Sequence, residues 1–310
     1  MARAFSGQGG LRHFEPFSFF LNKSRKSPGY VFLRPRPSGR TANQLRQRFT
    51  VSIMHPPTQF DQPAPVLEAN HPCGDCIVRC KAICSVLDSD ELKAFRRTGA
   101  TIRLAPGETL FYEDDPARSV YSLTRGMLRL TKILPDGRRQ IADFLFPGDF
   151  LGLTLEEGHS FSAEAVTEVE VCQFSTARFQ AFATTHPQLE RRLFALAAHE
   201  LAATRQQVLR LGRKSAMERI ASFLMMLANR DRDVPVSPEG RLMVVLPMSR
   251  TDIGDYLGLR IETISREFSA MKAQGLIRLV STQRVEILDP ERLEAIAAGE
   301  ALPERSLCAH

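Results

Sequence analysis

Cysteine is the residue type whose spacing points most directly to chemistry in this chain. Four of the six cysteines lie within twelve residues, and two lie far downstream; in order they are Cys73, Cys76, Cys80, Cys84, Cys172 and Cys308. Thiolates this close together hold zinc or an iron–sulfur cluster, and both usually take four ligands. No stretch has the pattern of a secretory signal, so we expect a metal or cluster site rather than a disulfide framework.

The spacing of the clustered thiols is Cys73-x2-Cys76-x3-Cys80-x3-Cys84. Without a second paired Cys-x2-Cys, this irregular pattern fits a zinc ribbon poorly. Spacing alone does not choose between zinc and a cluster, and a local zinc site that uses all four cysteines stays open. Basic residues flank the thiolates and would offset part of their negative charge.

The length of 310 residues suggests two domains with tails. Residues 1–53 hold ten Lys or Arg and one acidic residue, Glu15, whereas the rest of the chain is slightly acidic. The net charge of +6 is therefore no argument for DNA binding, and any basic surface must be local. No apolar run approaches the ~18 residues of a membrane span, so we expect a cytoplasmic protein without membrane contact.

Residues 1–53 are basic and rich in Ser, Gly and Pro, and we expect a disordered extension. Three interpretations stay open: a nucleic-acid-binding arm, an organelle transit peptide, or a non-native extension upstream of a true start at Met54. A Pro-rich lead then joins the cysteines in a cluster-binding segment, residues 54–87.

The first globular domain, residues 88–183, opens with Asp88 and Glu91 in the pattern of a capping box. From Ile102 to about Phe182, turn signals recur about every ten residues, which predicts the short strands of a jelly roll.

One late strand, Thr167–Phe174, carries the fifth cysteine. Period-two alternation places Val169 and Val171 on one face and Cys172 on the other. A lone strand cysteine is usually a small buried hydrophobe, but here another segment can reach it. The pattern makes Cys172 available as a ligand.

Residues 184–214 read as one long helix that begins at Pro187 and ends near Arg213. Apolar or small residues follow a coiled-coil spacing, and they predict a dimer seam at Phe194, Ala197, Leu201, Thr204, Val208 and Leu211. The alternative is a helix packed on its own domain. Small or polar seam residues would make the dimer weak and conditional.

The C-terminal domain, residues 215–298, has the pattern of a winged helix-turn-helix: a capped helix, a turn at Gly258, a second helix and a hairpin. In the second helix we expect four apolar residues to face the core: Ile261, Ile264, Phe268 and Met271. The opposite face carries Glu262, Ser265, Arg266 and Ser269, whose side chains can read base edges. Residues 299–310, with Cys308, read as a tail.

This α+β order of cysteine segment, cyclic-nucleotide-binding-like jelly roll, long helix and winged helix-turn-helix resembles the Crp/Fnr family of bacterial regulators. The resemblance covers about residues 70–290. It is strongest in Asp252-Ile253-Gly254-Asp255-Tyr256-Leu257-Gly258-Leu259 and Glu262-Thr263-Ile264-Ser265-Arg266. The Cys73-x2-Cys76-x7-Cys84 spacing is similar to that of FnrN-type oxygen sensors, and Cys172 matches a fourth cysteine on a late strand.

The resemblance implies a [4Fe-4S] cluster on Cys73, Cys76, Cys84 and Cys172. It further implies an oxygen-responsive homodimer that reads palindromic double-stranded DNA with TTGAT-like half-sites and contacts RNA polymerase. Such a protein would regulate genes of anaerobic or microaerobic growth and would not be an enzyme.

Three departures from the family pattern matter. Cys80 has no required role and is a candidate substitute ligand or resolving thiol. Arg260 stands where relatives often carry a small residue and would add a phosphate contact. Cyclic-nucleotide-binding relatives carry an arginine in a phosphate cassette, whereas this chain has none near Gly148–Gly152 or Ser160–Ala163. We therefore expect no cyclic nucleotide.

Two other functions compete with this one. Within the family, a clusterless or thiol-redox regulator would use Cys80 or Cys172 directly. In a different class, an iron–sulfur or zinc protein without gene regulation would leave the DNA-reading helix unexplained.

Overall fold

The computed structural model describes residues 67, 71, 73–154, 157–230, 237 and 239–300. The predictions for residues 1–53 and for the tail beyond residue 300, including Cys308, lie outside this described part. Within it, no helix combines the length and apolar character needed to cross a membrane.

The cysteine segment is a series of turns that ends in a short 3₁₀ helix, Ile83–Val86. Four apolar residues anchor it, each at most 1% exposed: Val78, Ala82, Ile83 and Leu87. Helix α1, Ser89–Arg97, follows, and the predicted capping box between Asp88 and Glu91 is present. The segment is thus fixed both by burial and by a capped helix.

The jelly roll is built from strands β1 Gly99–Leu104, β2 Thr109–Phe111, β3 Ser119–Arg125, β4 Leu128–Ile133, β5 Arg139–Leu145, β6 Phe150–Leu151, β7 Ser162–Ala165 and β8 Val169–Ser175. In the described residues they form two antiparallel sheets, ordered β1-β8-β3-β6 and β2-β7-β4-β5. Apolar residues from both sheets, Val169 and Val171 among them, fill the space between. The predicted jelly roll is confirmed.

Helix α2, Thr176–Thr185, leads into the long helix α3, Pro187–Arg213, whose ends are those predicted. At about 1.5 Å per residue, the 27 residues of α3 span about 40 Å. Its buried residue Leu189 packs with α1 and the 3₁₀ helix in one apolar cluster. The start of α3 therefore lies against the cysteine segment.

The C-terminal domain contains helices α4 Ala216–Arg230, α5 Arg250–Leu257, α6 Ile261–Ala273 and α7 Pro290–Ala298, with strands β9 Met243–Val245, β10 Ile277–Leu279 and β11 Arg284–Ile287. Between α5 and α6 the chain turns at Gly258, whose φ of 64° favours glycine. A Cβ at Gly254 would lie 2.6 Å from the carbonyl oxygen of Leu259, so glycine is required there too. The predicted helix-turn-helix and its wing are confirmed.

The jelly roll and the C-terminal domain share an apolar cluster. Phe144 of β5 lies in it, with its ring centroid 5.2 Å from that of Tyr256 and 6.3 Å from that of Phe223. Strand β5 is therefore the surface of the jelly roll on which helices α4 and α5 pack.

Candidate cluster site and nucleic-acid interface

Four cysteine side chains line one small cavity of about 30 Å³ between the cysteine segment and strand β8. Three come from the segment, at Cys73, Cys76 and Cys84, and the fourth is Cys172. Cys80 lies outside this lining and is exposed. The fold thus brings together two pieces of chain that lie 88 residues apart.

Cys172 reaches the cavity because of its place in the sheet. Val169 and Val171 are at most 3% exposed and face the core between the sheets, whereas Cys172 packs with the cluster around α1 and the 3₁₀ helix. The predicted alternation is confirmed. On either side, its partners across the ladder are Thr101 of β1 and Ser122 of β3.

A buried histidine holds the first cysteine in place. His71 is 6% exposed, and its Nδ1 accepts a hydrogen bond of 3.0 Å from the backbone N–H of Cys73. Nε2 must then carry the ring proton, which it donates to the carbonyl oxygen of Ser89 at 3.1 Å. This positioning role was missed from the sequence, where the one signal is a histidine two residues before a cysteine.

Burial, together with repulsion between the thiolates, raises the pKa of Cys73, Cys84 and Cys172. Burial, then the charges of Cys76, Cys73 and Cys172, raise the pKa of Cys84 to about 12. Burial also raises the pKa of Cys172 to about 11, although the nearby charge of Arg96 acts to lower it. Four thiolates here need a positive partner, which a metal or cluster supplies.

The donor set fits a [4Fe-4S] cluster, which takes four cysteine thiolates. Arg96 lies beside these sulfurs, and apolar side chains such as Phe95 and Phe174 close the cavity. Ser122 also lines it, and the Ser122 hydroxyl has no hydrogen-bond partner among the described residues. In that part of the chain, no three Cys, His, Asp or Glu side chains are arranged to hold a single metal ion.

The cysteine segment contacts the long helix directly. Arg192 of α3 donates a hydrogen bond of 2.7 Å to the carbonyl oxygen of Lys81, between Cys80 and Cys84. Gln188 donates to the Glu91 carboxylate of α1 at 2.9 Å. These two bonds join the cysteine segment and α1 to the first turns of α3.

The other end of α3 is tied to the helix-turn-helix by one guanidinium group. Arg219 of α4 donates to the carbonyl oxygens of Leu211, Lys214 and Leu257 at 2.8–2.9 Å. Gln207 of α3 also donates to the carbonyl oxygen of Tyr256 at 3.2 Å. Helix α3 is thus held by the cysteine segment at one end and by α5 at the other.

The predicted DNA-reading side chains lie on one exposed face of α6: Glu262, Ser265, Arg266 and Ser269. Ile264, Phe268 and Met271 are at most 2% exposed, as predicted. The expectation that Ile261 faces the core is wrong, because this residue of the first turn is 43% exposed. Here the helix extends beyond the neighbours that cover its later turns.

The polar side chains on this face differ in their exposure and in the hydrogen bonds that they already make. The Arg266 side chain is 71% exposed, and Glu267 lies 3.7 Å from it. The hydroxyls of Ser265 and Ser269 donate to helix carbonyls, which leaves their oxygen atoms as acceptors. Arg260 is exposed at the N-cap position of α6.

The predicted seam residues of α3 are exposed in the protomer, except Leu211. Phe194, Leu201 and Val208 are 78%, 53% and 65% exposed. Leu211 is half-buried, and its side chain approaches the turn at Gly258. The seam therefore presents an apolar strip for most of the helix and meets the helix-turn-helix at its end.

Known proteins resemble both halves of the chain. Residues 218–296 match the Crp-like helix-turn-helix domain, and residues 101–186 match the cyclic nucleotide-binding domain. The nitrogen fixation regulation protein FixK of Bradyrhizobium diazoefficiens is 46% identical over 235 residues, which are 76% of this chain and 98% of FixK. The transcriptional activatory protein AadR of Rhodopseudomonas palustris is 45% identical over 225 residues, 72% of this chain and 92% of AadR.

A solved structure agrees with these relatives. That of FixK2 from Bradyrhizobium japonicum matches with a TM-score of 0.59 and 36% identity, over 66% of this chain and 98% of that one. Fold and sequence thus point to the same group of proteins.

Proposed function

The chain belongs to the Crp/Fnr family of transcription regulators and is not an enzyme, and on this premise we propose that it is an oxygen-responsive activator. Its sensor would be a [4Fe-4S] cluster held by Cys73, Cys76, Cys84 and Cys172. With the cluster intact, the protein would bind DNA as a dimer and regulate genes of anaerobic or microaerobic growth.

One observation carries this proposal. Cys172 meets three cysteines of the distant leader in one cavity, whereas Cys80, in the middle of that leader, lies outside it. Four cysteines from two parts of the chain are the ligand set that a [4Fe-4S] cluster takes. These are the four residues that the resemblance to FnrN-type sensors implies.

The cavity gives cluster binding a mechanical consequence. Its volume of about 30 Å³ has room for about two water molecules. A larger group would require the cysteine segment to move relative to β8. Because Arg192 holds the segment through the Lys81 carbonyl, that movement would pass to α3.

We assign the exposed strip of α3 to a homodimer, as regulators of this family are typically dimeric. Phe194, Leu201 and Val208 would be covered by the same residues of the second copy, with Ala197 and Thr204 as weak points. A shift at the start of α3 would alter this contact, and Arg219 and Gln207 would carry the change to α5.

Bases would be read by α6. Arg266 can bind guanine with two hydrogen bonds, Glu262 can accept from cytosine, and the oxygens of Ser265 and Ser269 are adaptable acceptors. Arg260 would contact a phosphate. Two copies of α6 would read the TTGAT-like halves of a palindrome about one helical turn apart, next to RNA polymerase. We expect that the protein does not bind a cyclic nucleotide.

The test is the metal content and DNA affinity of protein purified without oxygen. We expect roughly four irons per chain with matching sulfide, no zinc, and tight binding to a TTGAT palindrome that weakens in air. Zinc in place of iron, or equal binding in air by metal-free protein, would contradict the proposal.

The second candidate is a clusterless thiol-redox regulator, and the exposure of Cys80 favours it. This protein would bind DNA without metal, and a mild oxidant would change its affinity. Cys80→Ser would remove that response, whereas it should leave the response of a cluster regulator intact.

A further inference from the structure

Ser122 is a buried polar residue whose hydroxyl no described residue satisfies. The residue is 3% exposed, and its Oγ has no hydrogen-bond partner among the described residues. A buried hydroxyl without a partner destabilises a fold, and a small apolar residue would avoid that penalty. The position therefore indicates a missing partner for the hydroxyl.

The position of Ser122 in the sheet indicates where this hydrogen-bond partner would lie. Ser122 lies directly opposite Cys172 in the antiparallel β3–β8 ladder, so both side chains point from the same face of the sheet. Both also line the four-cysteine cavity. A group that binds the Cys172 sulfur lies within reach of the Ser122 hydroxyl.

We propose that Ser122 donates a hydrogen bond to the sulfur of Cys172 or of the bound cluster, and so sets how readily oxygen destroys the cluster. This inference rests on the proposed function. Ser122 is a positioning and tuning residue rather than a ligand, since Cys73, Cys76, Cys84 and Cys172 complete the set of four.

The direction of the effect follows from charge. Hydrogen bonds to cluster sulfurs stabilise the more negative form and raise its reduction potential. Dioxygen is the oxidant: it takes one electron from the cluster and leaves as superoxide. A donor at Ser122 opposes that transfer, so its removal speeds cluster loss.

Thr124 shows why Ser122 is singled out. Its hydroxyl belongs to another residue of the cavity lining, but it already donates to the carbonyl oxygen of Glu170 at 2.9 Å. Ser85 differs from Thr124 in both properties. Its Oγ is buried without a partner in the described residues, next to Cys84 in sequence, yet it does not line the cavity.

The experiment compares Ser122→Ala with Ser85→Ala, a matched loss of a buried unpaired hydroxyl. Protein purified without oxygen is mixed with air-saturated buffer, and the loss of visible cluster absorption is followed. We expect Ser122→Ala to carry wild-type iron but to lose the cluster about two- to tenfold faster, with a more negative midpoint potential. Ser85→Ala should match the wild type.

A second pair of variants tests whether altered packing, rather than the lost hydroxyl, causes faster cluster loss. Ser122→Thr and Ser122→Val have the same shape and differ only in the hydroxyl. The threonine variant should decay like the wild type, and the valine variant like Ser122→Ala. Equal decay of these two variants would overturn the inference.

In metal-free protein, Ser122→Ala should have the opposite effect: it should not destabilise. Without a cluster the Ser122 hydroxyl has no partner in the described part of the chain, so Ser122→Ala should melt at or above the wild-type temperature. A lower melting temperature would assign Ser122 a structural role and overturn the inference.

Different results would contradict the proposed function and the inference about Ser122. Wild-type protein without iron and sulfide would overturn the proposed function and this inference with it. Wild-type protein with a cluster, whose decay and potential do not change in Ser122→Ala, would overturn the inference alone.

Discussion

Nη2 of Arg139 lies 2.6 Å from Oδ1 of Asp252, and this contact joins the jelly roll to the helix-turn-helix. Arg129 reaches the same oxygen at 3.0 Å. The other oxygen, Oδ2, accepts from the backbone N–H and the hydroxyl of Ser249 at 3.0 and 2.8 Å, which caps α5. One carboxylate thus starts the first helix of the DNA-binding motif and fixes it on β4 and β5.

Arg139→Ala should lower the free energy of unfolding by about 1–3 kcal/mol, because it removes charge-assisted bonds from Asp252, which is 4% exposed, and from Asp255. Thermal or urea unfolding measures this. Arg138→Ala is the control, since the Arg138 side chain is 76% exposed and pairs with Asp136, two residues away. Equal effects of the two variants would show that the contacts of Arg139 with Asp252 and Asp255 contribute nothing.

The same contact predicts sensitivity to acid. Burial acts to raise the pKa of Asp252, but hydrogen bonds from Ser249 and the charges of Arg129 and Arg139 outweigh it and hold the pKa below its ordinary value. The stabilisation is therefore complete above about pH 4 and lost as pH falls through the folded-state value. The difference in unfolding free energy between wild type and Asp252→Asn should shrink in acid; a constant difference would exclude this charge effect.

Cys172→Ser should abolish the cluster, whereas Cys80→Ser should retain it, because Cys172 lines the cavity and Cys80 does not. Iron and sulfide content after purification without oxygen is the measurement. Each variant is the other's control, since both exchange one thiol for a hydroxyl. The reverse result would overturn the ligand assignment.

Arg266→Ala should weaken DNA binding by about 1–3 kcal/mol at sites that contain the guanine of the half-site. At sites where another base replaces this guanine, the loss should be much smaller. Arg260→Ala, the comparison, should weaken all sequences alike and reduce the salt dependence, as expected for a phosphate contact. Titrations on the two sites at several salt concentrations separate these outcomes. Uniform loss with Arg266→Ala would make it a phosphate contact.

Leu201→Glu should prevent dimer formation without unfolding the protomer, because the side chain is 53% exposed in the protomer and would face its copy across the seam. Sedimentation of oxygen-free protein measures the dimer. Gln206→Glu adds the same charge to α3 away from the seam and should leave the dimer unchanged. A dimeric Leu201→Glu protein would show that the copies meet elsewhere.

Local patterns were enough for much of this molecule. The capping box at Asp88, both ends of α3 and the helix-turn-helix depend on residues within a few positions of each other, and the prediction was confirmed in each case. Alternation also placed Cys172 on the correct face of β8. The error at Ile261 arose because periodicity gives a direction around the helix and not whether a neighbour covers it.

What the sequence determined by itself is therefore the order of the elements and the direction in which their side chains point, since both follow from neighbouring residues. Only the tertiary structure decided which distant groups meet. It placed Cys172 with three leader cysteines and left Cys80 outside, and it set Ser122 beside them with no hydrogen-bond partner among the described residues. The physical reason is that such contacts depend on how sheets and helices pack, and the patterns of neighbouring residues do not determine that packing.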